Sequence, residues 1–347
     1  MTTDIIPRID GRAGVISLNR PSALHALTLD MVHAMTAQLQ AWAADSAVAC
    51  IIIDHAEGRG FCAGGDIRFL QESALAGGEA GRKFFHDEYQ LNYLLFTYPK
   101  PVIAFMDGIT MGGGVGISQP AKYRIATENT RFAMPETGIG LFPDVGGGWY
   151  LSRLLGRVGQ YLALTGARID GADCLAVGLA THYLPSASLG GVKTAIAANP
   201  DNVEAILNEA SVGAPLAKIV ESRPQIERLF ASDICEEIFA ALEKDGGEWA
   251  TKELASLRTK SPQTCKVALR QLSHGARFAD FADNMRMEYR IAARVLTWHD
   301  FIEGVRAVII DKDNAPNWNP ATPKGVTDTL LDEIFAPLPA DQEWKPL

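Results

Sequence analysis

Two glycine-rich stretches, each placed directly after an apolar segment, constrain the fold of this 347-residue chain more than any other feature. The first reads Phe-Cys-Ala-Gly-Gly-Asp at residues 61–66, and the second reads Met-Gly-Gly-Gly-Val-Gly at residues 111–116. Glycine lets the turn after a strand bring bare backbone N–H groups close to a ligand oxygen. Two such N–H groups facing one carbonyl oxygen form an oxyanion hole, so the sequence indicates chemistry at a carbonyl group.

Short apolar runs predict the strands of an α/β fold. They lie at residues 14–18, 48–53, 101–106 and 123–127. The run at 48–53 is apolar throughout, which predicts a strand buried on both faces. Two of these runs lead into the glycine-rich stretches and then toward a helix, so the pattern is a repeated ββα unit.

Helix signals fill the spaces between these strands and dominate the second half of the chain. Thr28 and Asp170 are typical N-cap residues, and we expect a helix after each of them. Glycines 146–148 predict the start of another helix, which Gly156 is expected to end. The sequence therefore predicts two domains, a ββα core at 1–190 and a helical C-terminal extension at 191–347.

The charge balance excludes some partners. With 32 basic and 41 acidic residues the formal net charge is -9, which gives no electrostatic footprint for nucleic acid. The first residues, Met-Thr-Thr-Asp, lack the basic and apolar parts of a signal peptide, and no apolar run of about 18 residues occurs. A cytoplasmic location without membrane contact is therefore expected. The five scattered cysteines fit reduced thiols rather than a disulfide framework or a metal site.

Three acidic residues are candidates for the chemistry. Glu136 and Asp144 each follow a proline in an apolar, glycine-rich context, which fixes φ before the acid and could raise the pKa of its carboxyl. The alternative is that both acids only cap a turn or a helix start. Glu88 lies on a helix with an apolar flank, and taken alone it fits a solvated surface position better than an active site.

Other reaction types lack their motifs. The sequence contains neither the G-x-G-x-x-G of dinucleotide-binding folds, nor a P-loop, nor the G-x-S-x-G of α/β-hydrolases. Cys62 could be a nucleophile, but no histidine stands near it in sequence, and a small cysteine after Phe61 is more typical of packing.

Several longer motifs resemble the crotonase (enoyl-CoA hydratase/isomerase) superfamily. They lie at residues 19–21, 61–68, 108–116 and 132–137. Within that superfamily, further motifs resemble the 3-hydroxyisobutyryl-CoA hydrolases. They lie at residues 140–148, 163–166, 287–290 and 303–312. The resemblance extends from about residue 10 to residue 320.

This resemblance implies a crotonase-like spiral of ββα units and an acyl-CoA thioester as substrate. It implies an oxyanion hole formed by the N–H groups of Gly65 and Gly113. It also implies that Glu136 and Asp144 are catalytic, and that Glu88, Gly113, Glu136 and Asp144 contact the substrate. The expected reaction is hydrolysis of 3-hydroxyisobutyryl-CoA, a step of valine catabolism, without a cofactor apart from the CoA of the substrate. Self-association into a homo-oligomer is left open.

Two alternatives to hydrolysis remain. Enoyl-CoA hydratases that resemble this chain use two glutamates to hold and activate water, and the first of them corresponds to Gly116 here. A hydratase or isomerase is therefore the second expectation. The third is an acyl-CoA binder without catalysis, since an oxyanion hole alone would still bind thioesters.

Overall fold

The computed structural model describes residues 2–347 and is a mixed α/β structure. Its strands are β1 (Ile5–Asp10), β2 (Ala13–Leu18), β3 (Cys50–His55), β4 (Gly60–Cys62), β5 (Val102–Met106), β6 (Ile109–Met111), β7 (Tyr123–Ala126), β8 (Arg131–Ala133), β9 (Ile169–Asp170) and β10 (His182–Tyr183). Its helices up to residue 198 are α1 (Leu29–Ala44), α2 (Ile67–Leu75), α3 (Glu79–Phe96), α4 (Gly113–Ser118), α5 (Gly147–Leu151), α6 (Val158–Thr165), α7 (Gly171–Val177) and α8 (Leu189–Ala198).

The remaining chain is helical. Its helices are α9 (Val203–Ala210), α10 (Lys218–Leu229), α11 (Cys235–Asp245), α12 (Glu248–Leu257), α13 (Pro262–Gly275), α14 (Phe281–Val295), α15 (His299–Val305) and α16 (Asp328–Phe335). A π-helical segment at Arg306–Ile310 follows α15 directly. Among the described residues after Tyr183 there is no further strand, which confirms the predicted helical C-terminal region. Within residues 2–347, no helix combines the length and the apolar character needed to span a membrane.

The chain divides into two compact units that alternate along the sequence. The first unit holds the chain up to Gly65 together with Gln90–Phe132 and Arg168–Glu221. The second unit holds Asp66–Tyr89, Ala133–Ala167 and Ser222–Leu347. This division by contacts differs from the sequence-based one into 1–190 and 191–347, which stays a prediction.

The first unit is built on a six-stranded sheet in the order β1-β2-β3-β5-β7-β10. Strands β2, β3, β5 and β7 run parallel. Parallel neighbours require a long crossover connection, which helices usually provide. Apolar side chains on one face of these strands pack against α8 and α9, for example Ile52 and Phe105 against Ile196 and Leu207. A second sheet has the order β4-β6-β8-β9, with β4 and β6 parallel.

The predicted N-caps at Thr28 and Asp170 are confirmed, because each side chain bonds to a backbone N–H only three residues further on. The Thr28 side chain accepts a hydrogen bond from the N–H of Met31 at the start of α1, and Asp170 forms a capping box with Asp173 at the start of α7. The predicted end of a helix at Gly156 is wrong, because α5 stops at Leu151. There the chain turns so that Gly159 of α6 lies against the Leu151 carbonyl, where a Cβ atom would not fit.

The edge strand β1 was not predicted, because its sequence lacks the apolar run that marks β2, β3, β5 and β7. It pairs antiparallel with β2, but five of its six residues are exposed, so it shows no apolar run. Pro7 lies within it, and proline is tolerated in a sheet where a strand has a free edge.

Candidate active site

The two glycine turns lie next to each other in the first unit. They follow the parallel strands β4 and β6, and the carboxyl ends of neighbouring parallel strands meet at one edge of a sheet. Gly64 has a φ of +117°, and a Cβ atom added there would lie 3.7 Å from the backbone nitrogen of Gly113. The turn continues into Gly65, which forms a parallel bridge with Leu27. The structure therefore brings the Gly64–Gly65 turn to the Gly113 amide.

Gly113 is the first residue of α4. The N–H groups of the first helical turn have no partner within their own helix, and the helix dipole makes this end positive. Gly112, before it, has a φ of +47°, and a Cβ atom on Gly114 would collide with the Cys62 carbonyl. These glycines give the close backbone approach that the sequence predicts for an oxyanion hole. Cys62 itself is fully buried, and its Sγ lies 3.7 Å from the Gly64 carbonyl oxygen.

The second unit holds the three candidate carboxyls in buried positions. Glu88 lies on α3, Glu136 lies in the first turn of the 3-10 helix Glu136–Ile139, and Asp144 lies just before α5. Their exposed fractions are only 2%, 5% and 4%, respectively. The surface alternative for Glu88 is therefore wrong. A buried ionised carboxylate is costly unless it is paired, so three in one unit call for a physical explanation.

Capping does not explain Glu136 or Asp144. Neither the 3-10 helix that begins at Glu136 nor α5 has a side-chain hydrogen bond to its cap. The N-cap residue of α5 is Gly146 rather than Asp144. The Asp144 carboxylate instead accepts a hydrogen bond of 2.9 Å from the hydroxyl of Tyr89, which is itself fully buried.

The three carboxyls form one electrostatic cluster. Burial raises the pKa of Asp144 from 3.8 to about 7, although the hydrogen bond from Tyr89 opposes this rise. Burial, followed by the repulsion of Asp144, raises the pKa of Glu88 well above its ordinary value. The same two causes, in the same order, raise the pKa of Glu136. Carboxyls with such raised pKa values change protonation closer to neutral pH, which suits acid and base catalysis.

Two oxygens of this cluster lack a partner among the described residues. They are Oε1 of Glu88 and Oε2 of Glu136, and both are fully buried. A buried carboxyl oxygen without a hydrogen bond costs free energy, and a bound ligand that donates a hydrogen bond would remove this cost. Both oxygens therefore mark positions that suit the polar groups of a substrate.

A fourth buried carboxyl, Glu288 on α14, supports the loop that carries Asp144. It accepts hydrogen bonds from the backbone N–H groups of Gly146 (2.7 Å) and Gly148 (2.9 Å). The side-chain amides of Gln271 and Asn284 each donate to it at 2.9 Å. Burial raises the pKa of Glu288 to about 7, although the two backbone N–H groups oppose this rise.

Tyr89 and Glu288 are functional candidates that the sequence reasoning did not identify. Tyr89 directly follows a candidate acid, and Glu288 lies within the motif at 287–290. One signal was available for Glu288, since an acid between Met287 and Tyr289 on a strongly amphipathic helix occupies the apolar face. An acid on the buried face of a helix needs partners, and this would have marked it.

Parallel strands that end in glycine turns, and buried carboxyls in the other unit, are features of an enzyme that acts on a carbonyl group. Similarity to known proteins identifies the family. The profile described as "Enoyl-CoA hydratase/isomerase" matches residues 13–335, and the chain belongs to this family. It has the crotonase fold, as the resemblance implied.

Relatives that are more than 40% identical to this chain are named as hydrolases of one acyl-CoA. The 3-hydroxyisobutyryl-CoA hydrolase, mitochondrial, of Danio rerio is 44% identical over 94% of this chain and 88% of its own length. The Homo sapiens protein of the same name is 42% identical over 94% of this chain and 87% of its own length. Among solved structures, a carnitinyl-CoA dehydratase from Mycobacterium thermoresistibile matches with a TM-score of 0.94, 38% identity and 99% coverage of both chains.

These names overturn the expectation of a cytoplasmic location. The matched hydrolases are named as mitochondrial proteins. The cytoplasmic expectation was wrong because it rested on the lack of a leader pattern, which carries no information about where related proteins work.

Proposed function

We propose that this protein hydrolyses the thioester of 3-hydroxyisobutyryl-CoA to 3-hydroxyisobutyrate and free CoA, as a step of valine catabolism. One observation carries the proposal. The second unit buries Glu88, Glu136 and Asp144 in one cluster with two unpartnered carboxyl oxygens. This cluster belongs to a chain that is 42–44% identical to relatives named 3-hydroxyisobutyryl-CoA hydrolase.

The first step concerns the thioester oxygen. In the proposal it accepts hydrogen bonds from the backbone N–H groups of Gly65 and Gly113, which stabilise the negative charge of the tetrahedral intermediate. The position of Gly113 at the start of α4 supports this role, because the positive end of a helix favours an anion.

Glu136 then acts on the thioester carbon in one of two ways. As a nucleophile its carboxylate forms a mixed anhydride, and the C–S bond breaks to release CoA as the thiolate. Water then cleaves the anhydride and regenerates the Glu136 carboxylate, and the proton that this water gives up balances the thiolate. As a general base it takes a proton from water, whose oxygen attacks the carbon directly; the C–S bond then breaks and the proton passes from Glu136 to the departing CoA sulfur. Both routes consume one water and no other co-reactant, so the proposal requires no further cofactor. Both also require ionised Glu136.

Glu88 and Asp144 are proposed to bind the 3-hydroxyl group of the acyl chain. A hydroxyl both donates and accepts hydrogen bonds, and two carboxyls that share a proton offer an acceptor and a donor together. The raised pKa values of Glu88 and Asp144 support such sharing, because the buried pair keeps a proton at a higher pH than two exposed carboxyls would. A site built this way discriminates against acyl groups that lack the hydroxyl, because its buried polar atoms are then unpaired.

A hydratase is the second candidate, since two proteins of known structure with 37–38% identity to this chain are named enoyl-CoA hydratase and carnitinyl-CoA dehydratase. Against it stands Gly116, a buried helical residue where the hydratases that this chain resembles place a glutamate. Without that carboxyl the acid and base pair is incomplete.

A panel of thioesters distinguishes the candidates. The purified protein is incubated with 3-hydroxyisobutyryl-CoA and with crotonyl-CoA, while free thiol and the absorbance of the enoyl thioester are followed separately. Thiol release from the first substrate supports the hydrolase. A change of enoyl absorbance without thiol release would instead indicate the hydratase. Neither signal, together with measurable binding, would leave a protein that binds acyl-CoA without catalysis.

A further inference from the structure

Glu288 stands out among the buried groups because four hydrogen-bond donors converge on its carboxylate. Two of them are backbone N–H groups of a single loop, at Gly146 and Gly148, and two are the side-chain amides of Gln271 and Asn284. Its side chain is fully buried. A buried carboxylate held by two backbone N–H groups and two amides is fixed in one geometry.

The same network holds the Asp144 loop on both of its sides. Before Asp144, the Gln271 amide donates a 2.7 Å hydrogen bond to the carbonyl of Pro143. After it, Glu288 accepts from Gly146 at 2.7 Å and from Gly148 at 2.9 Å. Gln271 and Glu288 are themselves joined by a 2.9 Å hydrogen bond. The buried pair of Gln271 and Glu288 therefore holds the loop on both sides of Asp144.

The loop carries glycines, at positions 146 and 148, where it contacts Glu288 and its partners. A Cβ atom added to Gly148 would lie 2.7 Å from Oδ1 of Asn284 and 3.0 Å from Cγ of Gln271. Gly146 has a φ of +94°, which side chains rarely adopt. A side chain at Gly148 would therefore crowd the amides that bind Glu288, and one at Gly146 would be strained by the backbone.

We propose that Glu288, acting with Gln271, is a positioning residue that holds the Asp144 carboxylate against the Tyr89 hydroxyl and thereby sets the selectivity for a hydroxylated acyl group. Glu288 makes no contact with the reacting atoms in this proposal. The selectivity part rests on the proposed function, whereas the placement of Asp144 does not.

Two substitutions release the loop from different sides. In Glu288→Gln an amide replaces one carboxylate oxygen, so that an N–H of the new side chain faces an N–H of the loop and one donor loses its acceptor. Gln271→Met keeps the length of the side chain but removes the hydrogen bonds to Pro143 and to Glu288. Glu253→Gln is the matched control, because Glu253 is also a buried carboxyl of this unit (6% exposed). Burial raises its pKa, and it accepts a hydrogen bond from the side chain of Tyr161.

The first readout is the ratio of kcat/KM for 3-hydroxyisobutyryl-CoA to that for isobutyryl-CoA. We expect both variants to lose about tenfold in kcat/KM on the hydroxylated substrate, since small misplacements of reacting groups are expensive in rate. The rate on isobutyryl-CoA should change much less, so the ratio falls, whereas Glu253→Gln leaves it unchanged. A loss of general stability would lower both rates together and leave the ratio intact.

The second readout is a crystal structure of each loop variant, which needs no activity. The distance between the Tyr89 hydroxyl and Asp144 Oδ2, 2.9 Å in the native chain, should exceed hydrogen-bond range in at least one loop variant. An unchanged distance in both variants overturns the positioning role, and an unchanged selectivity ratio in an active enzyme overturns its effect on specificity. If the native protein hydrolyses no thioester while the variants still lose the Tyr89 bond, the proposed function fails and the positioning of Asp144 by Glu288 stands.

Discussion

Replacing Tyr89 by phenylalanine tests the electrostatics of the carboxyl cluster without any substrate. The substitution removes one hydroxyl and keeps the ring, which packs in a T-shaped arrangement against Tyr289. What is lost is the 2.9 Å hydrogen bond to Asp144, made between two fully buried side chains. This bond lowers the pKa of Asp144 against the effect of burial. Tyr89→Phe should therefore raise the pKa of Asp144 above about 7.

The sign of the stability effect follows from this pKa. Because folding raises the pKa of Asp144 from 3.8 to about 7, the native state keeps a proton that the unfolded chain has released. The stability from Asp144 is therefore fully present below pH 3.8 and is lost as the pH rises through about 7. With Tyr89→Phe, the loss continues to a higher pH.

The magnitude depends on the protonation of Asp144. A hydrogen bond to a charged group contributes about 1.5–3 kcal/mol, whereas one between neutral groups contributes about 0.5–1.5 kcal/mol. We expect Tyr89→Phe to cost about 1 kcal/mol at about pH 5 and about 2–3 kcal/mol at about pH 8.5. The difference between the two pH values is the quantity to measure.

Urea unfolding at both pH values measures this difference. Tyr289→Phe serves as the control, because Tyr289 makes T-shaped contacts with the rings of Tyr89 and His86. Its effect on the free energy of unfolding should be the same at both pH values. Equal costs of Tyr89→Phe at the two pH values would refute the electrostatic reasoning, since Asp144 would then not change its protonation between them.

Three further predictions concern catalysis. Gly113→Pro removes an N–H at the first position of α4, where a helix tolerates proline best, and should lower kcat by about 10² to 10³ in thiol-release assays while circular dichroism stays native. A near-native rate would remove Gly113 from the site. Glu136→Gln keeps the shape of the side chain but removes both nucleophile and base, so hydrolysis should nearly vanish while calorimetry still detects thioester binding. If only KM rose, Glu136 would be a binding residue. Because burial raises the pKa of Glu136 and the reaction requires its ionised form, kcat should fall on acidification with an apparent pKa above 4.5. A flat profile down to pH 4.5 contradicts this.

The sequence predicted those parts of the fold and the site that depend on local chemistry. Apolar runs marked the central strands, Thr28 and Asp170 marked helix starts, and the glycine turns were evident from composition and spacing alone. Glu136 and Asp144 were singled out because a proline and apolar neighbours stand beside them in sequence. Such signals lie within a few residues of each other.

The contacts that organise the carboxyls are long-range, and the sequence pattern does not contain them. The bond from Tyr89 to Asp144 joins residues 55 positions apart, and the bond from Gly146 to Glu288 joins residues 142 positions apart. The burial of Glu88 is what rules out a surface position for this residue. It too depends on how parts of the chain that are distant in sequence pack together.

The comparison of two substrates tests the central claim most directly. Initial rates of CoA release are measured for 3-hydroxyisobutyryl-CoA and isobutyryl-CoA with the native enzyme and with Glu88→Ala. If Glu88 and Asp144 bind the 3-hydroxyl, the hydroxylated thioester should react faster by about one to two decades, the equivalent of about 1.5–3 kcal/mol for a hydrogen bond to a charged group. Glu88→Ala should narrow this gap by slowing mainly the hydroxylated substrate. Equal rates on both thioesters with the native enzyme would contradict the account, because the buried carboxyls would then not recognise the hydroxyl group.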